Sequence, residues 1–454
     1  MAVTSTKGRR FNPLSLDAVN FLLSDVRGAM GPYVNVFLVT QQHWSLSQVG
    51  LVTTISGLLG LAVQTPIGAA IDETRAKRGA IVLALAVLGI GAAVIFVWPT
   101  FWPVLVANSL MAIVGDVFGP AVAALTLGLY ARNQLARRMG RNSAFDHAGN
   151  VAIAAVAGGV GYTFSQRAVF LLVPIFAMLA GIAVLSIPAS AIDYNRARDL
   201  NGEHNAAAAA TGAAGYSILF KSRPLVIFGL CVMLFHLANA ALLPLVGQKL
   251  AAAFPDEATA MMSACIITAQ AVMMPIALLV GRTADSWGRK PLFLAGFAVL
   301  PIRAVLYTLS DNSFWLVGVQ VLDGVGAGIF GALTPLVIAD IMRGTGRYNL
   351  AQGAIATAQG IGASSSGLAA GVIVDHFGYS AGFLAAGAAA SVALAVFALW
   401  MPETAKPETG VTTTGRKPPS YSKSRRDREA APGDRPIHRA RVVSGRPSHR
   451  CRSS

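Results

Sequence analysis

Two short segments that resemble each other decide how this chain is interpreted. Residues 68–78 read GAAIDETRAKR, and residues 281–290 read GRTADSWGRK. Each segment follows a long apolar run and precedes another, and the two lie about half the chain apart. A second repeat accompanies them, because residues 118–119 and residues 330–331 both read FG inside apolar runs. A hydrophobic chain built twice on one plan predicts a duplicated membrane transporter.

The composition favours a membrane protein. Of the 454 residues, 54% are hydrophobic and 13% are charged, and the mean hydropathy is +0.58. Soluble domains contain about 25% charged residues. The three cysteines, Cys231, Cys265 and Cys451, have neither disulfide nor metal-ligand spacing. We therefore expect no metal and no cofactor.

Other classes of protein fit the sequence less well. The chain lacks the G-x-x-x-x-G-K-[ST] motif of an ATP-driven pump, and its seven histidines lack the spacing of a metalloenzyme site. We therefore expect a protein that is not an enzyme. A ligand sensor built on a transporter-like fold stays an alternative. Nucleic acid is not an expected partner, because the membrane orientation explains the formal charge of +15.

Twelve apolar runs are long enough to cross a bilayer, since about 20 helical residues span the hydrocarbon. These predicted spans, numbered 1 to 12, cover residues 14–40, 47–71, 79–97, 101–130, 142–164, 169–188, 225–250, 259–282, 292–309, 314–341, 350–374 and 381–400. The sequence thus predicts an all-α membrane protein. Its twelve transmembrane helices form two pseudo-symmetric six-helix bundles.

Basic residues predict the orientation. All but four of the 36 lysine and arginine residues lie in the N-terminal segment, in loops after even-numbered spans, or after span 12. This positive-inside bias places both termini in the cytoplasm and favours a multi-pass plasma-membrane protein. The predicted divisions are a cytoplasmic N-terminus at 1–13, bundles at 14–188 and 224–401, a cytoplasmic linker at 189–223 and a basic tail at 402–454. The tail composition predicts disorder, with lipid contact and a solvated extension as alternative roles.

The two quoted segments resemble the loop motif G-x-x-x-D-[RK]-x-G-[RK]-[RK] of the major facilitator superfamily, which joins helices 2 and 3 and again helices 8 and 9. The matching residues are Gly68, Asp72 and Lys77 in the first copy and Gly281, Asp285, Gly288, Arg289 and Lys290 in the second. The first copy departs from the pattern at Glu73, where a basic residue is usual, and at Arg75, where glycine is usual. The resemblance covers about residues 14–403 and implies a cytoplasmic gate that this loop latches.

The chemistry of the motif separates its carboxylates from its basic residues. An aspartate at the end of one helix can face the positive N-terminal end of another. We therefore interpret Asp72 and Asp285 as gate residues. For Arg75, Lys77 and Arg78, ordinary positive-inside charge is the favoured explanation.

Six ionisable residues lie near the middle of predicted spans, where a charge costs about 2.5–3.5 kcal/mol. They are Asp25, Arg27, Asp116, His236, Arg303 and Asp323. In the resembled family, helices 1, 4, 7 and 10 line the central cavity, and all of these residues except Arg303 lie on those spans. Polar residues that helical spacing places beside them are Asn20, Asn35, Asn239 and Gln320.

These residues suggest a proton-coupled mechanism. We expect Arg27 and Asp116 to pair across the first bundle, and Asp323 or His236 to supply a titratable group in the second. A carboxylate in such a cavity can take up and release a proton near neutral pH. Structural pairing between helices is the alternative. Arg303 lies on span 9, which is peripheral in the resembled family, and we expect it to pair with Asp323.

The direction of transport stays open on the sequence. Drug exporters of the resembled family often carry G-x-x-x-G-P-x-x-G-G on helix 5. Residues 149–158 read GNVAIAAVAG, which keeps the first and last glycines but lacks the proline and the central glycine. We favour export of a small organic solute in exchange for protons, with proton-coupled uptake as the alternative. The expected partners are that solute, protons and the lipid bilayer, and the expected functional unit is a monomer.

Overall fold

Helices make up nearly all of the regular structure. The computed structural model describes residues 3–4, 10–24, 31–74, 76–130, 132–193, 221–343 and 348–405. The helices are α1 (Pro13–Leu23), α2 (Gly31–Thr40), α3 (Leu46–Glu73), α4 (Lys77–Val97), α5 (Phe101–Leu129), α6 (Arg132–Thr163), α7 (Leu172–Leu185), α8 (Arg223–Asn239), α9 (Leu242–Ala253), α10 (Ala258–Trp287), α11 (Arg289–Leu309), α12 (Ser313–Ile341) and α13 (Tyr348–Trp400). Two short strands, β1 (Val3–Thr4) and β2 (Arg10–Phe11), pair antiparallel near the start of the chain.

Every predicted span coincides with helix. Span 1 corresponds to α1 and α2, with residues 25–30 outside the described residues, and span 7 corresponds to α8 and α9. Spans 11 and 12 are the two parts of α13, which leaves helical geometry at Gly378 with φ 81° and ψ 170°. Glycine adopts this left-handed φ without steric cost. The predicted all-α fold with twelve spans is confirmed.

Local sequence explains two of the boundaries. Ser45 and Gln48 form a reciprocal capping box at the start of α3, with hydrogen bonds of 3.1 and 3.0 Å. Pro244 lies in the first turn of α9, where a missing backbone N–H costs little. The chain accordingly breaks at residues 240–241, just before that turn.

Span 5 begins earlier than predicted. Helix α6 starts at Arg132 rather than at residue 142. Its first turns are arginine-rich, which is typical of a loop between spans. In the structure, Asp17 of α1 binds both Arg138 and Arg141. These ion pairs hold the polar extension of the helix against α1.

Nine helical segments of the described chain are long and apolar enough to cross a membrane. The number is below twelve for three reasons. Residues 25–30 interrupt span 1, residues 350–400 count as one segment, and α6 combines its arginine-rich start with a glycine- and alanine-rich remainder. Large apolar side chains such as Leu83, Ile182 and Leu278 are exposed on the bundle surface, as lipid contact requires.

The buried apolar side chains form two clusters, one for each half of the sequence, and Ala251, Ala258 and Met262 of the second half join the first cluster. The halves touch through α3 with α13, α6 with α10, and α2 with α9. We call the end of the bundle that holds residues 68–78 and 281–290 the motif end, and the other, where α3 begins, the opposite end. Residues 194–220 and 406–454, most of the predicted linker and tail, lie outside the described residues.

Candidate transport site

A buried polar cluster links three helices of the second half. Arg303 of α11 is 2% exposed and forms an ion pair with Asp323 of α12. The same guanidinium donates to Asn239 Oδ1 of α8 at 2.9 Å and to the Tyr307 hydroxyl at 2.8 Å. A buried charge at this depth needs such partners. The expected pairing of Arg303 with Asp323 is confirmed.

Gln320 extends this cluster. It lies one helical turn before Asp323, is fully buried, and lies beside the Cys265 thiol of α10. Within the described residues, Arg303 Nη2 has no hydrogen-bond partner. Two predicted cavity residues, Asn239 and Asp323, therefore converge on one buried guanidinium. The side-chain amide of the third, Gln320, has no hydrogen-bond partner among the described residues.

His236, one helical turn before Asn239 on α8, has aromatic surroundings. Its Nδ1 lies 2.9 Å from the Val232 carbonyl oxygen, and its ring packs edge-on against Phe235 and Phe330 at centroid distances of 5.4 Å. One ring nitrogen is thus occupied by the backbone, which leaves Nε2 for any other partner. A role of His236 in transport stays a prediction.

Asp116 is the carboxylate of the first half at comparable depth. It lies half-buried in the middle of α5, and within the described residues it has neither a hydrogen bond nor an ion pair. Gly60 of α3 lies beside it: a Cβ atom on Gly60 would lie 3.5 Å from Asp116 Oδ2. Asp25 and Arg27 lie outside the described residues, so the pairing of Arg27 with Asp116 stays a prediction.

The two asparagines predicted for span 1 have different surroundings. Asn20 donates its amide to the Leu16 carbonyl oxygen at 2.7 Å and is thus partly satisfied within α1. Asn35 of α2 lines a cavity between the two halves near the opposite end. Only Asn35 is placed where a solute could reach it from that cavity.

The second copy of the motif forms a charged network within its own half. Arg289, the first residue of α11, pairs with Asp285 at 2.8 Å and with Asp340 of α12 at 3.1 Å, and Asp340 also binds Arg343 at 2.7 Å. Asp285 is 88% exposed, whereas Arg289 and Asp340 are buried. Gly281 is exposed and faces open space.

The helix terminus in this copy is capped by a residue that the sequence analysis missed. Glu403 accepts the backbone N–H groups of Arg289 and Lys290 at 2.9 and 3.0 Å. Gly288 allows this approach, because it has φ 85° and a Cβ there would lie 2.7 Å from Glu403 Oε2. The carboxylate at the start of α11 is therefore that of Glu403, not that of Asp285.

The structure describes only part of the first copy of the motif, residues 68–78. Gly68 and Asp72 belong to the last turns of α3, and their surroundings lie outside the described residues. Lys77, at the start of α4, is fully buried and donates to the Ile71 carbonyl oxygen at 2.7 Å. Lys77 thus ties the end of α3 to α4, which a positive-inside loop charge alone does not explain.

A second network at the motif end was missed by the sequence analysis. Asp17 of α1 is 2% exposed and binds Arg138 at 2.8 Å and Arg141 at 2.6 Å. Arg138 also donates to Asn142 Oδ1 at 2.8 Å and lies over the Tyr130 ring. Asp17 falls in the first turns of span 1, where its spacing resembles no motif, so only the contact with α6 reveals it.

Hydrogen bonds between the halves occur toward the opposite end and also at mid-bundle, where His147 Nδ1 and Gln270 Oε1 lie 3.2 Å apart. Asp375 of α13 accepts the backbone N–H groups of Leu46 and Ser47 at 3.0 and 2.8 Å, and it bonds the Ser47 hydroxyl. Thr54 donates to the Ser364 carbonyl oxygen at 2.6 Å. A carboxylate at a helix N-terminus is favourably placed, so Asp375 fastens α13 to the start of α3.

Glycines let these helices approach. A side chain on Gly50 would collide with the Gly367 backbone, and one on Gly371 would collide with the Leu46 backbone. On the other side of the bundle, Tyr33 hydrogen-bonds Ser263 of α10 at 2.9 Å. The halves are therefore closely packed at the opposite end.

Two repeated helical halves with polar groups buried between apolar helices define a membrane transporter fold. A family model described as Major Facilitator Superfamily matches residues 16–282 and 231–442, and the chain belongs to this family. The predicted family is thereby confirmed.

The chain is similar to known members in sequence and in fold. It is 47% identical over 391 residues to an uncharacterized MFS-type transporter found in two strains of Mycobacterium tuberculosis; the match covers 86% of this chain and 93% of the relative. The fold is similar to a mutant of the nucleoside transporter NupG, with TM-score 0.69, 14% identity, and coverage of 86% of this chain and 100% of the other. It is also similar to a D-xylose-proton symporter, with TM-score 0.67, 15% identity, and coverage of 86% and 98%.

Proposed function

We propose that this membrane transporter exports a small organic solute by alternating access in exchange for protons, and that Asp116 carries the proton. The observation that carries the proposal is the contrast between two carboxylates at similar depth. Asp323 has its counter-charge in Arg303, whereas Asp116 has no partner within the described residues. Binding a proton is the way in which an unpaired carboxylate between helices loses its charge.

The two halves then have separate tasks. Asp116 takes up a proton while water reaches it from one side, and releases it after the bundle reopens to the other. Arg27 lies on span 1, so a pairing with Asp116 would let the guanidinium replace the proton in one half of the cycle. The Arg303 cluster keeps its charges balanced and supplies Asn239 and Gln320 as uncharged groups for the solute.

Export is favoured over uptake because the cavity holds few charges, which suits a small or partly apolar organic compound rather than a polyanion. The second candidate, proton-coupled uptake, is supported by the missing proline in residues 149–158. A screen of a strain without this transporter against a broad compound panel distinguishes export from uptake. Sensitisation that the wild-type chain reverses supports export, and loss of growth on one nutrient supports uptake.

A solute found in that screen allows the proton role to be tested in proteoliposomes. In counterflow, labelled solute exchanges without a proton gradient, so we expect Asp116→Asn to keep this activity and to lose proton-driven accumulation. Asp256→Asn, an exposed carboxylate in the turn before α10, is the matched control and should behave as wild type. Unchanged pH dependence in both Asp116→Asn and Asp323→Asn would overturn proton coupling through these residues, and absent counterflow would favour a sensor.

The proposal also includes the orientation of the chain in the membrane. We place the motif end, with both termini, on the cytoplasmic side of the plasma membrane, and take the monomer as the functional unit. Cys231 and Cys265 are buried, which leaves Cys451 of the tail as the thiol to label. A membrane-impermeant maleimide should label inside-out vesicles and not right-side-out vesicles; the reverse result contradicts this orientation.

A further inference from the structure

A cavity of about 110 Å³ lies between the two halves near the opposite end. Its walls come from α2 and α3 of the first half and, in the second, from α9, α13 and the break between α8 and α9. Three neutral polar side chains line it, Asn35, Thr53 and Gln248, among small and aliphatic residues. None of the described lining residues is charged.

One buried polar group of this cavity, Gln248, has an acceptor oxygen that lacks a partner among the described residues. It is 3% exposed, and its Oε1 has no hydrogen-bond partner within the described residues. A buried acceptor without a donor is costly, whereas a donor supplied by a ligand removes that cost. Thr53 donates its hydroxyl to the Val49 and Gly50 carbonyl oxygens of its own helix, so its oxygen remains able to accept.

We propose that this cavity is a binding site for a neutral solute, or the neutral end of a larger one, that donates an O–H or N–H to Gln248. The inference rests on the proposed function only in taking this ligand to be the transported solute. Ionised ligands are excluded because the lining offers no counter-charge. A cavity of 150 Å³ holds benzene, so a group of about four or five non-hydrogen atoms fits here.

The cavity belongs to one conformation. Gly50 and Gly367 bring α3 and α13 together beside it, and Asp375 holds the start of α3 on the other half. Separation of the halves at this end opens the cavity. The site therefore lies where a solute would last be held before release at the opposite end.

Three small probes of the same shape test the site. Acetamide is neutral and donates an N–H, acetone is neutral without a donor, and acetate is charged. Because four non-hydrogen atoms support only weak binding, each is titrated against the purified full chain in detergent by ligand-detected saturation-transfer NMR, with empty micelles subtracted. We expect acetamide to bind about fivefold to tenfold more tightly than acetone, as one hydrogen bond allows, and acetate not to saturate.

Two substitutions test whether the probes bind in this cavity. Gln248→Leu should weaken acetamide to the level of acetone and leave acetone unchanged, and Ala363→Leu should abolish both by filling the cavity. Gln352→Leu, an exposed glutamine of α13, is the matched control and should bind as wild type. Equal binding of acetone and acetamide to the wild-type chain overturns the site even if Gln248→Leu fails to fold, and so does acetamide binding that neither Gln248→Leu nor Ala363→Leu weakens.

Asp116→Asn keeps the two proposals distinguishable. It should retain full affinity for acetamide while it loses proton-driven accumulation. Acetamide binding that passes these tests in a chain without proton-linked transport supports the site and removes the proposed function. Proton-linked transport in a chain that does not bind acetamide supports the proposed function and removes the site.

Discussion

The two halves of the transporter are braced at the motif end by charged networks of opposite polarity. In the first half one carboxylate, Asp17, lies between two guanidinium groups, those of Arg138 and Arg141. In the second half one guanidinium, that of Arg289, lies between two carboxylates, those of Asp285 and Asp340. The centres of these networks differ in residue type, in helix and in charge. The equivalence of the two motif copies stays a prediction, because the surroundings of Asp72 lie outside the described residues.

The shared property of the networks is that each stays within its own half. Each ion pair among the described side chains joins helices of one bundle, whereas uncharged contacts and the Asp375 cap join the bundles toward the opposite end. Among the described residues of this conformation, the second copy of the motif therefore braces its own bundle. Such rigid bundles are what alternating access by rocking requires.

The largest expected loss of stability comes from a substitution at the centre of the first network. Asp17→Asn leaves the buried Arg138 without its counter-charge, and loss of one partner of a buried pair costs about 3–5 kcal/mol. We expect the thermal midpoint of the detergent-solubilised chain to fall by several degrees. Arg141→Gln, at the half-exposed side of the same carboxylate, is the control with a smaller loss. Equal losses from both variants would mean that burial does not set the strength of this network.

A smaller loss of stability is expected when the second network loses one of the two carboxylates around its centre. Asp340→Asn removes one of two carboxylates from Arg289, which keeps Asp285, so we expect a loss of about 1–3 kcal/mol. The free energy of unfolding in a mild denaturant series measures it. A loss as large as that of Asp17→Asn would show that the exposed Asp285 contributes little to holding Arg289.

Sequence reasoning reached the helices and the class of protein because both depend on local pattern. Apolar runs and basic loops predict spans, and the repeated motif indicates the family. Intramembrane charge also predicted the pairing of Arg303 with Asp323, since few partners exist at that depth. Asp17, Asp375 and Glu403 were missed because each acts on residues more than a hundred positions away, and no local spacing encodes such a contact.

Glu403 links the second network to pH. Partial burial acts to raise the pKa of Glu403, but backbone N–H groups of Ala405, Lys290, Arg289 and Thr404 outweigh it and hold that pKa below its usual value. A lowered folded pKa gives stability that is present above the unfolded pKa, about 4.3, and is lost as pH falls through the folded value.

Glu403→Gln therefore should lower stability at pH 7 by about 0.3–1 kcal/mol, the usual size of a carboxylate at a helix N-terminus. The difference between wild type and variant should shrink as the pH falls below about 4, because the carboxyl of the unfolded wild-type chain then binds a proton that the folded chain takes up only at lower pH. Thermal midpoints of both chains from pH 7 to pH 3.5 measure this. A difference that stays constant across this range would show that the cap does not act through its charge.

The smallest loss of stability is expected from substitution of Asp285. The same substitution also tests whether this motif residue acts in the gate. Asp285 is 88% exposed, so Asp285→Asn should cost only about 0.2–0.5 kcal/mol, and 1 M salt should remove even that. Motif residues that only brace their own bundle would leave the transport rate unchanged as well. A transport rate that falls severalfold while the thermal midpoint stays within a degree of wild type would instead mean that Asp285 finds another partner when the motif end closes. That result would give the second copy of the repeat a gating role in addition to the bracing seen in this conformation.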